Sequence, residues 1–153
     1  MRKLLLLVVL MTVGAAIAAP DVYADQPTFT PSPNTDFVDT TCGFPITVHF
    51  VVNGETAKTF TSGTTIVTGP SFAQLTGPTG KSITLNNSGP AKITVSDGSV
   101  MIIGHGHGFG PLVTPNGLVL SYVAGVISIS TSPLEGVLLR GHVLLNLCAA
   151  LAP

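Results

Sequence analysis

Turn-forming residues interrupt the chain so regularly between Cys42 and Cys148 that short extended segments are what remain. Asn53-Gly54 and Asp97-Gly98 are two-residue hairpin signals, because glycine and its partner accept the positive φ such turns need. Gly69-Pro70, Gly77-Pro78 and Gly89-Pro90 add breaks at intervals of about 8–12 residues, the spacing of sandwiches and barrels. Ile46, Val48, Phe50 and Val52 alternate with Thr47, His49 and Val51, a period of two that places His49 on the opposite, solvated face. Further segments run over Phe72–Leu75, Ser82–Leu85, Lys92–Val95 and Val100–Ile103. Leu118–Val123 and Val126–Ser130 follow, separated by Gly125, and then Val137–Leu139 and Val143–Leu147. The later segments are apolar on both faces, as in strands at the centre of a fold. Val137–Leu151 is ambiguous between strand and helix, and Gly141 with the absence of caps favours strand.

The fold class expected is therefore all-β: one antiparallel barrel of about eight to ten short strands, with a β-sandwich as the alternative. Cys42 and Cys148 are the only cysteines, standing before the first and after the last of these strands, and in an exported chain they are read as a disulfide. Closing a loop of about 106 residues contributes up to about 4–5 kcal/mol in the chain-entropy model. In an even-stranded up-and-down barrel such a tie seals the seam between first and last strands, and closure removes exposed edges.

Export is read from the N-terminus. Arg2 and Lys3 precede an apolar run through Ala19, Pro20 breaks it, and Val22-Tyr23-Ala24 sets small residues at the cleavage positions, so residues 1–24 form a signal peptide cut after Ala24. The run falls short of the roughly 20 residues needed to cross a bilayer. Residues 25–41, with prolines at 27, 31 and 33 and no apolar period, read as a flexible Pro/Thr-rich tail, and 42–153 as the β-domain. The mature chain has four bases, Lys58, Lys81, Lys92 and Arg140, against six acids, a net charge of −2. Four scattered bases make neither a nucleic-acid stripe nor a polybasic membrane patch.

Cys42-Gly43-Phe44-Pro45-Ile46-Thr47-Val48, Gly63-Thr64-Thr65-Ile66-Val67-Thr68, Gly80-Lys81-Ser82-Ile83-Thr84 and Leu147-Cys148-Ala149-Ala150-Leu151 resemble segments of a group of small exported proteins of high-GC Gram-positive bacteria. The resemblance spans nearly the whole mature domain and implies compartment and fold, with no assigned activity. Where such proteins tend to carry a polar, Arg- or Asn-bearing strand end, this chain has Gly104–Gly110. In architecture alone the meander also looks like the barrels of the allene oxide cyclase and dirigent type, and fold does not license function.

Gly104-His105-Gly106-His107-Gly108-Phe109-Gly110 is the most unusual local sequence. On a continuing strand His105, His107 and Phe109 share one face while the glycines bare the other. Two imidazoles so spaced make a candidate divalent-metal pair of cupin type, with His142 and Asn146, or His49, as further ligands. The carboxylate expected a few residues on is missing, and a glycine-rich strand end with two solvated histidines is the competing account. The stretch fails G-x-G-x-x-G in every register. Asp97, Glu55 and Glu135 all fall in turns, where carboxylates are normally solvated, and no G-x-S-x-G elbow is present. Asn86-Asn87-Ser88 fits a glycosylation pattern and is read as a turn. These features imply a secreted, non-enzymatic module without a cofactor that binds a small apolar ligand or a cell-surface partner. The alternatives are a cupin-like metal-binding protein or metalloenzyme built on His105 and His107, and a structural component of the cell envelope using the tail as spacer.

Overall fold

A computed structural model describes residues 26–32 and 35–153 of the chain; the expected signal peptide lies outside the described residues. The strands are β1 (Thr28–Pro31), β2 (Phe37–Asp39), β3 (Ile46–Asn53), β4 (Thr56–Thr59), β5 (Thr65–Thr68) and β6 (Ser71–Thr76). They continue with β7 (Ser82–Asn86), β8 (Ala91–Ser96), β9 (Ser99–Thr114), β10 (Gly117–Thr131) and β11 (Leu134–Asn146), and one helical turn, α1 (Leu147–Leu151), ends the chain. Every ladder is antiparallel, in two sheets ordered β1-β4-β5-β8-β9-β10-β11 and β2-β3-β6-β7. The all-β class expected from the turn spacing is present.

The predicted disulfide is formed, with Cys42 and Cys148 Cα atoms 5.1 Å apart. What it joins differs from the expected seam. The segment read as a tail supplies β1 and β2, so Cys42 precedes the third strand. Among the described ladders β3 pairs with β2 and β6, and β11 pairs with β10 alone. The bond thus ties the start of β3, in the four-stranded sheet, to the helix that follows the end of the seven-stranded one.

That junction is where the main core lies. Ile46, Val48, Ala73 and Leu75 from the four-stranded sheet pack with Leu120 of β10 and with Leu147 and Leu151 of α1, all essentially without solvent exposure. Each of the valine, isoleucine and leucine side chains contributes roughly 1.5–3 kcal/mol on burial. Alternation in β3 holds as far as Phe50; then Val51 bulges out of the ladder, and Val52, expected inside, is 45% exposed. A bulge adds one residue and so exchanges the two faces of the strand. α1 departs from the expected strand ending. Asn146 caps it, its side-chain oxygen accepting from the Ala149 amide at 2.9 Å. The turn points Leu147 and Leu151 into the core four residues apart, a spacing that shares one helix face.

Four segments read as separate strands are fused into two. β10 runs through Gly125 and β11 through Gly141. Gly106, Gly125 and Gly141 stand directly opposite one another across β9, β10 and β11, with φ of +95°, +148° and +114°. A side chain at Gly125 would overlap the Arg140 carbonyl, and one at Gly141 the Ala124 carbonyl. This row lets three long strands bend together, the β9–β10 ladder keeping its register while the β10–β11 ladder shifts on either side of Gly125, because glycine alone accepts both the dihedral and the close approach. The bend brings β9 and β11 into contact although β10 separates them in the sheet: the Gly136 Cα lies against the Pro111 carbonyl. Leu112, Val123 and Ile127 form a second, smaller core there.

Candidate ligand-binding cleft beside the glycine row

The unusual glycine-histidine stretch is the middle of β9. His105 opposes Val126, His107 opposes Ala124 and Phe109 opposes Tyr122. A loop from Asn87 to Pro90 leans on this strand: the His105 amide donates to the Pro90 carbonyl at 2.9 Å, and Gly89 approaches so closely that a Cβ would strike the His105 carbonyl. The loop is itself anchored, since the Asn87 amide donates to the Ser71 carbonyl at 2.8 Å and the Ser88 hydroxyl accepts from the Ser71 amide at 2.9 Å.

Between loop and strand lies a cleft of about 190 Å³. Its apolar wall includes Ile102, Phe109, Val123 and Ile127; Gly104, Gly106 and Gly108 add backbone without side chains. His105 and His107 line it too, and His107 is held in place by stacking on Tyr122, ring centroids 5.9 Å apart and planes 24° off parallel. The Tyr122 hydroxyl donates to the Asn86 carbonyl at 3.0 Å, and burial pushes its pKa above the ordinary phenol value. Glu55 enters from the turn between β3 and β4. Its amide donates to the Asn53 side chain at 3.2 Å and its carbonyl accepts from the Ser32 amide at 3.0 Å. The carboxyl is half-buried, has no hydrogen-bond or ion-pair partner among the described residues, and is held by desolvation above the usual carboxylate range.

The metal candidates are placed as follows. His105 and His107 share the cleft; His142, on β11, is exposed and opposes Ala124, so β10 stands between it and His107. Asn146 is engaged as the helix cap, and His49 lies in the other sheet, where its Nδ1 meets the Asp36 carboxylate at 2.8 Å. Among the described residues no three His, Cys, Asp or Glu side chains are grouped as a metal site. Asp97 and Glu135 are exposed, as turn carboxylates are expected to be.

Sequence reasoning missed Glu55, Asn87 and Tyr122. Glu55 follows a hairpin signal and reads as solvated; only the packing of that turn beside β9 buries it. A larger groove of about 540 Å³ lies along Leu112, Val119, Leu138 and Val143, but no titratable side chain among the described residues lines it. The smaller cleft combines apolar walls, convergent polar groups and a perturbed carboxyl, the features that mark binding sites. No protein-family model matches this chain, and searches of curated proteins and of solved structures return no significant match.

Proposed function

We propose that this protein is a secreted, non-enzymatic binding module that takes a small, mainly apolar ligand in the cleft beside the glycine row. The observation that carries the reading is Glu55: a half-buried, unpartnered carboxyl costs folding energy where it stands, and a ligand donor would offset that cost. Export is supported by the disulfide and by the signal-like residues 1–24. For architecture we favour two packed sheets over a closed barrel, on the ground that the main core draws side chains from both sheets. The test is amide chemical-shift mapping of the purified mature protein against a library of small fragments. Shifts confined to Glu55, Asn87 and Gly104–Phe109 are the expected result; fragments that shift only other regions, or none at all, overturn the reading. Gly104→Ala sharpens it. Gly104 has an ordinary strand φ, and a Cβ there meets nothing nearer than the Ile127 side chain at 3.4 Å, so the fold survives while the added methyl enters the cleft.

A divalent metal at His105 and His107 is the second reading; it rests on the two imidazoles at the cleft, with no third His, Cys, Asp or Glu grouped with them among the described residues. Metal content of the purified protein, before and after replacing both histidines, decides it.

A further inference from the structure

Resting on that reading of the cleft, we propose its ligand class: one planar ring carrying a primary ammonium group. Size comes first. A cavity of about 150 Å³ lined by aliphatic and aromatic side chains accepts benzene. The present cleft, about 190 Å³, has room for one ring and a short substituent.

Shape and charge narrow the class further. Gly104, Gly106 and Gly108 carry no side chains, so a flat face can lie along the β9 backbone where a branched molecule loses contact. Ile102, Val123 and Ile127 close the apolar side. Among the described residues Glu55 is the one carboxylate on the lining, and neither lysine nor arginine shares it. An ammonium satisfies that carboxylate with charge-assisted hydrogen bonds, and a ligand carboxylate is repelled by it. Asn87 supplies a neutral amide beside the same opening.

Four probes separate these contributions when titrated into the full mature protein at pH 7.5 and followed by the amide resonances of Gly104–Phe109. They are benzylamine, benzyl alcohol, benzoate and butylamine. Benzylamine is expected to bind about tenfold more tightly than each of the other three, the worth of one partly exposed charge-assisted contact or of one buried ring face. Glu55→Gln is expected to bring benzylamine down to the affinity of benzyl alcohol. Benzoate or butylamine binding as well as benzylamine overturns the ligand class and leaves the cleft as a site. Failure of all four to shift these resonances, together with silence from the wider fragment library, removes the site itself. The probe series on the unaltered protein decides the class even if a variant does not fold.

Discussion

The four-stranded sheet and the β9–β11 meander solve the same problem in opposite ways. In the first, burial is a matter of side chains: Ile46 and Val48 of β3, with Ala73 and Leu75 of β6, turn inward while Thr47 and His49 stay outside. In the second, it is a matter of backbone. Three strands of 16, 15 and 13 residues bend at a row of glycines until β9 meets β11. Leu139 and Val143 on the edge strand remain 59% and 47% exposed although the strand is strongly apolar. A flat sheet tolerates many apolar residues at each inward position provided the period is kept. A creased one depends on a few positions where no side chain fits. The cleft belongs to the creased region, because only strands stripped of side chains let a neighbouring loop and turn come close without filling the space.

The contrast breaks most sharply at Gly125. Gly125→Val places a branched side chain at φ +148° against the Arg140 carbonyl, and loss of folded protein, a cost above about 4 kcal/mol, is expected in expression and circular dichroism. The disulfide tests whether the two sheets hold together without their covalent tie. Replacing Cys42 and Cys148 by serine is expected to remove about 4–5 kcal/mol in the entropic account, read as a fall in the urea midpoint. Paired truncations then sharpen the comparison. Leu75→Ala in the flat sheet should cost about 2–5 kcal/mol through lost burial and a cavity, whereas Leu139→Ala on the exposed edge should stay within about 0.5 kcal/mol.

Smallest and most diagnostic is the carboxyl at the cleft. The folded-state pKa of Glu55 is raised by desolvation, so the folded protein binds more protons than the unfolded one between the ordinary carboxylate value and the raised one. Stability is therefore greater below that window and is lost as pH rises through it. Glu55→Gln should raise the melting temperature slightly at pH 7 and leave it unchanged at pH 3.5; a lower melting temperature at pH 7 would mean that the carboxylate has a stabilising partner.

Much of the β-class was legible because turn chemistry is local. The Asp97-Gly98 hairpin forms with φ of +51° and +77°, and His49 is exposed on the face its parity assigns. The fused strands were not legible. A glycine between two apolar runs has the same local signature whether it ends a strand or creases one, and only its alignment with glycines on neighbouring strands separates the two outcomes. The two strands within the expected tail were not legible for a related reason: Thr28–Pro31 and Phe37–Asp39 have no apolar period of their own and become strands by hydrogen bonding to the edges that β4 and β3 present. Nor does Asn146 declare itself as a cap, since its role depends on where β11 stops.

For the cleft, residue order alone determined one wall: the glycine-histidine alternation of β9, a local property of consecutive residues on a strand. The opposite side was decided by tertiary structure. Glu55 stands 50 positions before His105, and nothing in its neighbourhood distinguishes it from any other solvated turn carboxylate. Its burial comes from contact between elements distant in the chain, and desolvation is a property of the space a group occupies.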